Sequence, residues 1–194
     1  METGSEIGNH KIVGQWKWHA CHLPLSGHRQ RYRNGSIEKK EHLISSVNKE
    51  YFQSHSSGKI RVEMDEMWSF YHDKEHQIWL WWAIDHDTGE AVAFWFGTRE
   101  HNNLDKLLEL LEPLNIGKVY TDGNYAYYEK IDAAVLVVSK KNTQRIERKH
   151  LSLRTWCSRL VRKGIRFSKT AQMHKIGVGL VINYWFFDGQ RLLQ

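Results

Sequence analysis

The stretch from Ile60 to Phe96 reads IRVEMDEMWSFYHDKEHQIWLWWAIDHDTGEAVAFWF, and it decides the fold. Apolar and polar residues alternate through Ile60–Tyr71, and the runs Gln77–Asp85 and Ala91–Phe96 are rich in aromatic and branched residues, as strands are. A turn signal, Asp87–Gly89 (DTG), separates the last two runs. The stretch therefore predicts a three-stranded antiparallel meander.

Two acidic residues flank the turn inside this stretch. Asp85 ends the second predicted strand and Asp87 begins the turn. Since Asp is common in turns because its side chain bonds nearby backbone, both are predicted to be solvated turn residues and not metal ligands.

The pattern after the meander alternates helix with strand. Leucines spaced by three and four residues predict a helix over His101–Leu111, which Pro113 ends. The later elements are a strand at Ile116–Thr121, a helix at Tyr125–Ile131, a strand buried on both faces at Ala134–Ser139, and a helix that Asn142 or Thr143 caps and that runs to about Arg162. Three antiparallel strands followed by βα units predict an α/β fold, with a mixed five-stranded sheet and helices on both faces.

Residues 1–58 are interpreted as a basic N-terminal extension, the remnant of a DNA-binding or linker region, ahead of the main domain at residues 59–194. A helix is predicted after an N-cap at Ser36, with four apolar residues on one side: Ile37, Ile44, Val47 and Tyr51. Such a helix is either the remnant of a DNA-binding unit or, more often, an element that simply packs on its neighbour. Four residues nearby carry the donor atoms of zinc ligands: His19, Cys21, His22 and His28. A single cysteine without a CxxC partner is weak support for zinc.

Composition excludes a disordered chain and a membrane span. Hydrophobic residues make up 41% of the chain, and nine residues are Trp. The longest nearly apolar run, Ile176–Phe187, is too short to cross a bilayer and predicts a buried terminal element. Cys21 and Cys157 make no disulfide framework, which predicts a protein of the reducing cytoplasm.

Charge is divided unevenly along the chain. Residues 62–139 hold five basic and fifteen acidic residues, whereas residues 140–194 hold thirteen basic and two acidic residues. An acidic middle beside a basic end is typical of a site that gathers metal cations next to a surface that gathers phosphates. Mutual neutralisation is the simpler alternative, but the positive excess in residues 140–194 is larger than packing requires.

Three acidic residues stand at special places in the predicted order. Asp65 lies within the first strand, Asp122 follows the fourth strand, and Glu147 lies in the first turns of the helix after the fifth. If the first and fourth strands are neighbours, the two Asp side chains meet, and the helix brings Glu147 across from them. When carboxylates lie this near to one another, each raises the pKa of the others, and a bound divalent cation relieves the repulsion between them. Taken singly, each residue has a simpler interpretation. Asp65 would be a solvent-facing strand residue, Asp122 a turn former before Gly123, and Glu147 an ion-pair partner for nearby Arg and Lys.

Three segments together resemble a known family. VEMDEMW (62–68), VYTDGN (119–124) and SKKNTQRIERKHLSLRTWCSRLVRKGIRFSK (139–169) are similar to the acidic motifs and C-terminal signature of insertion sequence one transposases. The resemblance runs from about Val62 to the C-terminus. It implies a ribonuclease H-like fold of the DDE superfamily, with Asp65, Asp122 and Glu147 as catalytic and metal-binding triad. It also implies Mg²⁺, or Mn²⁺ in its place.

The implied reaction is phosphoryl transfer on double-stranded DNA. Water attacks at the element's terminal inverted repeat and frees a 3′-hydroxyl, which then attacks target DNA. Two ends must be brought together, so a homodimer or higher oligomer is expected. A protein that acts on DNA is also expected to be associated with the nucleoid in the cytoplasm. Two other interpretations share the fold: a ribonuclease H-like nuclease without strand transfer, and an inactive DNA-binding derivative. The family's N-terminal zinc segment and helix-turn-helix are not found complete in this chain.

The resemblance and the basic segment also suggest DNA contacts. Arg154 lies two helical turns after Glu147 and is expected either to hold a phosphate near the metals or to pair with the acidic middle. The other backbone-contact candidates are Arg145, Arg148, Lys149, Arg159, Arg162, Lys163, Arg166 and Lys169. Tyr125 and Tyr127 are candidates for stacking on a displaced base. His174 matches a family His, and a catalytic role is a further hypothesis.

Overall fold

The structure is a computed structural model, and it describes residues 44–161 and 165–187. The zinc-ligand candidates near the N-terminus, the predicted N-cap Ser36, and the basic residues Arg162 and Lys163 lie outside the described residues. Of the described helices, none is long and apolar enough to cross a membrane.

The described chain contains five strands and five α-helices. The strands are β1 (Ile60–Phe70), β2 (Gln77–Asp85), β3 (Ala91–Gly97), β4 (Ile116–Thr121) and β5 (Leu136–Val138). The helices are α1 (Lys49–Ser54), α2 (Asn102–Leu111), α3 (Tyr125–Lys130), α4 (Gln144–Trp156) and α5 (Ala171–Phe186). Single turns of 3-10 helix at Lys140–Asn142 and Ser158–Leu160 flank α4.

The strands form one mixed sheet in the order β3-β2-β1-β4-β5. Strand β1 pairs antiparallel with β2, and β2 pairs antiparallel with β3, as the predicted meander requires. Strand β1 also pairs parallel with β4, and β4 pairs parallel with β5. The prediction of a mixed five-stranded α/β sheet is confirmed, and β1 stands at its centre.

Alternation along β1 divides the core into two layers. Met67 points to the layer that holds Trp82 and, from α4 and α5, Ile146 and Ile182. Val62 and Met64 point to the other layer, among residues of α2 and α3 that include Leu104, Leu107 and Tyr127. Because helices cover both faces of the sheet, most apolar side chains of β1 are buried, on both of its faces.

Several predicted boundaries are wrong. The apolar run at Ala134–Ser139 was expected to be buried on both faces, but β5 is a three-residue edge strand whose residues are half-buried or exposed. The helix expected to reach Arg162 ends at Trp156, where the chain turns into Ser158–Leu160. Residues 44–48 of the helix predicted after Ser36 are not helical, because Val47 forms a β-bridge with Ala93, and α1 begins at Lys49 with the Asn48 side chain as its cap. The earlier part of that predicted helix lies outside the described residues.

The prediction that Asp85 is a solvated turn residue is also wrong. Its side chain is 3% exposed and accepts hydrogen bonds from the Tyr51 hydroxyl and from the backbone N–H groups of Asp87 and Thr88. Asp85 therefore binds α1 to the β2–β3 turn. Asp87 is half exposed and pairs with Arg61, as a turn residue on the surface does.

A carboxylate on β1 fixes the start of α4. Thr143 occupies the N-cap position but its side chain makes no capping hydrogen bond. Instead Glu63, 1% exposed, accepts from the Ile146 backbone N–H at 3.0 Å and from the His86 Nδ1 at 2.8 Å. The first N–H groups of a helix need such acceptors, and a negative charge there is favoured by the helix dipole. This contact sets the position of α4 on the sheet.

Replacing Glu63 by Ala is expected to lower the free energy of unfolding by about 3 kcal/mol, because two donors lose their acceptor in a buried place. Glu63→Gln keeps one acceptor oxygen and is expected to lose less. Urea unfolding followed by circular dichroism measures both. The matched control Glu112→Ala, at an exposed carboxylate after α2, is expected to stay within about 0.5 kcal/mol. Equal losses in Glu63→Ala and Glu112→Ala would contradict the capping role.

Candidate active site

The register of β1 and β4 brings two predicted acids together. The parallel pairing places Glu63 opposite Tyr120, so Asp65 and Asp122, each two residues further, lie next to one another beyond the end of β4. Asp65 is still within β1, while Asp122 is exposed and precedes Gly123, whose φ of 101° favours glycine. One oxygen of each carboxylate lies within a group whose members are at most 4.8 Å apart.

A third carboxylate in this group, Glu66, was missed by the sequence analysis. Its side chain is 6% exposed, and its two oxygens accept from the Asn124 side-chain amide and, at 3.1 Å, from the Tyr127 hydroxyl. Asn124 in turn caps α3 through the Ala126 N–H, and its own N–H donates to Asp122. Glu66 therefore holds the loop that presents Asp122. The sequence signal that could have found Glu66 is the alternation of side chains in VEMDEMW. It turns Glu66 to the face of the sheet opposite Asp65, where Glu66 meets Asn124 and Tyr127 of the segment that follows Asp122.

Electrostatic repulsion in this group is large. Burial, followed by the charges of Glu66 and Asp122, raises the pKa of Asp65 to about 8. Burial also raises the pKa of Glu66, although the hydrogen bond from Asn124 opposes the shift. The Tyr127 hydroxyl, fully buried beside these carboxylates, has its pKa raised well above its usual value by burial and then by Glu66. Such a site favours a bound cation or a retained proton.

Glu147 lies in the first turn of α4 and is exposed. Its charge contributes to the raised pKa of Asp65, although it is the weakest of the named causes. Glu147 does not belong to the group of oxygens within 4.8 Å that Asp65, Glu66 and Asp122 form. The fold thus brings Glu147 to the same side of the sheet as Asp65, but only the two Asp residues of the expected triad lie in close contact.

His150, one turn after Glu147, lies against Asp65. Its Nδ1 is 3.4 Å from Asp65 Oδ2, which is too long for a good hydrogen bond. Burial lowers the pKa of His150 to about 3, so the ring is neutral at ordinary pH. Its Nε2 has no hydrogen-bond partner among the described residues. A neutral imidazole here limits the freedom of the Asp65 carboxylate without cancelling its charge.

Arg154 reaches the backbone of β1. Its guanidinium donates to the Trp68 carbonyl oxygen at 3.3 Å, and the side chain is half-buried. This contact holds the guanidinium beside β1, three residues beyond Asp65 along the strand. Both predicted roles of Arg154, binding a phosphate and pairing with the acidic middle, stay predictions.

Other basic residues of α4 surround one cavity of about 330 Å³. Its lining combines cations with aromatic rings: Arg145, Arg148 and Lys149 with Trp156 and Phe186, closed by Ser152, Thr88 and Gly89. Arg145 also donates to the Asp87 carbonyl oxygen at 2.7 Å. Lys149 Nζ lies 5.1 Å from the centre of the Phe186 ring, and burial lowers its pKa. The cavity combines positive charge with a hydrophobic floor.

The remaining candidates divide by exposure. Tyr125 is 70% exposed and free to meet a ligand, whereas Tyr127 is fully buried, so stacking of Tyr127 on a base is wrong. Lys169 is exposed, with its ammonium 4.5 Å from the centre of the Phe167 ring. His174 is fully buried; its Nε2 lies 3.0 Å from Ser69 Oγ, which itself donates to the Ile78 carbonyl. These contacts give His174 a place in the core between α5 and β1.

A mixed sheet of this order, in which carboxylates of the central strand β1 meet one that directly follows the parallel strand β4, is that of a ribonuclease H-like protein. The family model of the IS1 transposase matches residues 59–188, two-thirds of the chain. The chain therefore belongs to the IS1 transposase family, and it is a transposase.

Curated relatives agree with this assignment. The insertion element iso-IS1n protein InsB of Shigella dysenteriae is 40% identical over 125 residues, which cover 64% of this chain and 95% of that protein. The insertion element IS1 protein InsB of Shigella sonnei is 39% identical over 124 residues, which cover 64% and 95%. The insertion element IS1 9 protein InsB of Escherichia coli K12 is 39% identical over 124 residues, which cover 64% and 74%.

Membership in a DDE transposase family implies a divalent metal, and the carboxylate group fits one. Its donors are all oxygens, which Mg²⁺ and Mn²⁺ accept. Burial, followed by the charges of Glu66 and Asp122, raises the pKa of Asp65, and a cation bound among these carboxylates would oppose that shift. Exposure of Asp122 leaves the group open on one side for water and phosphate oxygens.

Asp122→Asn is expected to lower the pKa of Asp65 from about 8, because one of the neighbouring negative charges is removed. When the pKa of a carboxyl is higher in the folded than in the unfolded protein, the folded protein loses stability as the pH rises from the unfolded pKa to the folded pKa. For Asp65 this pH window runs from about 4 to about 8. The variant should therefore lose less stability than the parent protein over that window. Carbon-13 NMR titration of the Asp carboxyls in metal-free buffer measures the pKa directly.

Asp105→Asn is the matched control, since Asp105 lies on α2 and pairs with Lys130. It should leave the pKa of Asp65 unchanged. An Asp65 titration that is the same in the parent protein and in Asp122→Asn would mean that the two carboxylates do not interact.

Proposed function

We propose that this chain cleaves DNA at the ends of its insertion element and joins the freed ends to target DNA, with Asp65, Asp122 and Glu147 as the catalytic triad. The observation that carries the proposal is the β1–β4 register, which sets Asp65 beside Asp122 under the helix that bears Glu147. Family membership supplies the reaction class, and the acidic group supplies a place for it.

Asp65 and Asp122 are the proposed ligands of Mg²⁺ or Mn²⁺, with Glu147 completing the set from α4. When bound, such cations activate an attacking oxygen and neutralise charge on the leaving oxygen of an in-line displacement at phosphorus. In the first step a water oxygen bonds to phosphorus, the bond to the 3′ oxygen breaks, and that oxygen leaves as a 3′-hydroxyl. In the second step the 3′ oxygen bonds to a target phosphorus and displaces a target-strand oxygen.

The protein contributes position more than reactive groups. Glu66 keeps the Asp122 loop in place through Asn124 and Tyr127. The neutral ring of His150 limits the movement of Asp65, and Glu63 sets the height of Glu147 above the sheet through the first turn of α4. Holding the acids before substrate arrives removes an entropic cost from the reaction.

DNA is proposed to run along the basic face of α4. Arg154, fixed on the β1 backbone, is the candidate for a phosphate next to the acids. Arg145, Arg148 and Lys149 line the neighbouring cavity and are placed to hold the backbone further along. The remaining proposed contacts are Lys169, Arg162 and Lys163. Tyr125, exposed after the Asp122 loop, is the candidate for stacking on an unpaired base.

Two further proposals concern assembly. Because transposition joins two ends, the active species is proposed to be a homodimer or higher oligomer that holds both terminal inverted repeats. Residues 1–58 are proposed to be an extension that precedes the catalytic domain, and the family match, which begins at residue 59, supports that boundary. The last part of this extension packs on the sheet, because Val47 bridges to Ala93 and Tyr51 is buried in the core.

Asp65→Asn, Asp122→Asn and Glu147→Gln are each expected to reduce cleavage and joining by roughly 100-fold or more, because charge stabilisation at the reacting phosphate is lost. The assay incubates purified protein with DNA carrying the element's ends, a target plasmid and Mg²⁺, and separates cleaved from joined strands. Asp105→Asn is the matched control with unchanged activity.

Each outcome of this assay has a meaning. Joined products that need all three acids support the triad. Cleaved products without joining would point to a nuclease, and DNA binding without any Mg²⁺-dependent product would point to an inactive derivative. Full activity in Glu147→Gln alone would remove Glu147 from the triad and leave the two Asp residues.

Arg148→Ala and Lys149→Ala together are expected to reduce the dependence of DNA affinity on salt by about 0.9 log unit per log unit of salt for each phosphate that the variant no longer neutralises. Fluorescence anisotropy over a range of salt concentrations measures the slope. Lys106→Ala is the control, since Lys106 is an exposed cation on α2, which covers the opposite face of the sheet. An equal slope in all three proteins would contradict a DNA path along α4.

A further inference from the structure

The turn between β1 and β2 carries a second group of metal-ligand side chains. It is formed by His72, Asp73 and His76, in the sequence YHDKEHQ (71–77). One ring nitrogen of each His and one carboxylate oxygen of Asp73 lie within 4.8 Å of one another. This group lies at the far end of the strand from the Glu63 cap and shares no residue with the acidic group around Asp65.

The two imidazoles converge on one carboxylate. His72 Nδ1 is 2.7 Å from Asp73 Oδ2, and His76 Nδ1 is 2.7 Å from Asp73 Oδ1. The ring centres are 5.4 Å apart and their planes meet at 71°. Each side chain is between 45% and 62% exposed, so water reaches the group from outside.

The backbone holds these donors in a fixed arrangement. Asp73 Oδ1 accepts from the N–H groups of Glu75 and His76, and the Asp73 N–H donates to the Tyr71 carbonyl. His72 has a φ of 58°, a left-handed conformation that costs free energy for a residue with a Cβ. The Tyr71 and His76 rings are in contact, with centres 5.2 Å apart. The ligand atoms therefore do not depend on a freely moving loop.

A simple hydrogen-bonded pair of His and carboxylate looks different. At the surface, His101 Nδ1 meets Glu129, and this pair has one imidazole for one carboxylate. In the β1–β2 turn, two imidazoles share both oxygens of one carboxylate. As an exposed ion-pair network alone, the group would contribute little stability. Two nitrogens and one oxygen with open positions are instead the donor set of a transition-metal site.

We propose that His72, Asp73 and His76 bind one divalent cation of the zinc class, with water in the remaining positions. The ligands are Nδ1 of each His and one carboxylate oxygen of Asp73. Metal–nitrogen bonds of about 2.0 Å in a tetrahedral site put ligand atoms about 3.3 Å apart, so the 2.7 Å contact between the ligating Asp73 oxygen and its histidine opens by about 0.6 Å when the metal replaces the hydrogen-bonded proton. Mg²⁺ prefers oxygen and does not compete well for such a site.

The site would stabilise more than the turn. The His72 N–H donates to the carbonyl oxygen of Ser168 at 2.6 Å, and Ser168 also accepts from Arg159 through its hydroxyl. The Phe70 and Phe167 rings are 5.8 Å apart in the same place. A cation in the turn therefore anchors the segment before α5, which carries the exposed Lys169. The role is structural, separate from phosphoryl transfer.

The test measures Zn²⁺ binding to the full-length chain. Protein freed of metal with chelator is titrated with Zn²⁺ in the presence of a large excess of Mg²⁺, with a chromophoric chelator as competitor. His76→Gln and His72→Gln are each expected to bind one equivalent of Zn²⁺ fewer than the parent protein, or to bind that equivalent at least about 10-fold more weakly. Asp73→Asn is a third variant that removes the carboxylate and keeps both imidazoles.

Controls separate this site from the other histidines and acids of the chain. His101→Gln, the matched histidine of a His–carboxylate pair, and Asp105→Asn, at a surface carboxylate of α2 outside both groups, are expected to keep the full number of equivalents. Zn²⁺ is also expected to raise the unfolding midpoint of the parent protein and of His101→Gln more than that of His76→Gln. Circular dichroism verifies that each variant folds. Equal Zn²⁺ binding in the parent, His72→Gln and His76→Gln proteins would overturn the proposal.

Discussion

The buried contact between Glu63 and the first turn of α4 is the interaction on which the rest of the structure depends. A helix start has N–H groups without partners inside the helix, and here a strand supplies the acceptor that the local sequence does not. The same carboxylate holds His86, which directly follows β2. Because Glu63 precedes Asp65 by two residues on the same face of β1, the contact that positions α4 also fixes where Glu147, His150 and Arg154 stand relative to Asp65.

The acidic group illustrates how a stable fold carries a local instability. Burial of Asp65, and after it the negative charges of Glu66 and Asp122, raise the pKa of Asp65 to about 8. The surrounding hydrogen bonds go to Glu66 and Asp122 from Asn124, and to Glu66 from Tyr127. They hold the carboxylates in place without neutralising them, as a site prepared for a cation requires.

Local patterns predicted what local physics decides. Strands β2 and β4 were predicted with their observed bounds, since an aromatic or branched run in each ends at an Asp turn. The meeting of Asp65 and Asp122 followed from the carboxyl end of β4 lying beside β1. Contacts between distant segments were not predictable: Tyr51 reaches Asp85 across 34 positions, and Glu66 meets Tyr127 across 61. Strand β5 is apolar enough for a central strand, yet its place at the sheet edge is set by the other strands.

The unequal lengths of β1 and β4 have another consequence. Strand β1 continues to Phe70, but its pairing with β4 stops at Glu63, so the backbone edge of β1 beyond that point lacks a strand among the described residues. Side chains occupy this edge instead: Asp65 accepts from the Glu66 N–H, and Arg154 donates to the Trp68 carbonyl. Open strand edges are templates for pairing with other chains. The residues proposed for chemistry and phosphate binding thus also occupy backbone groups on an edge that would otherwise be open to another strand.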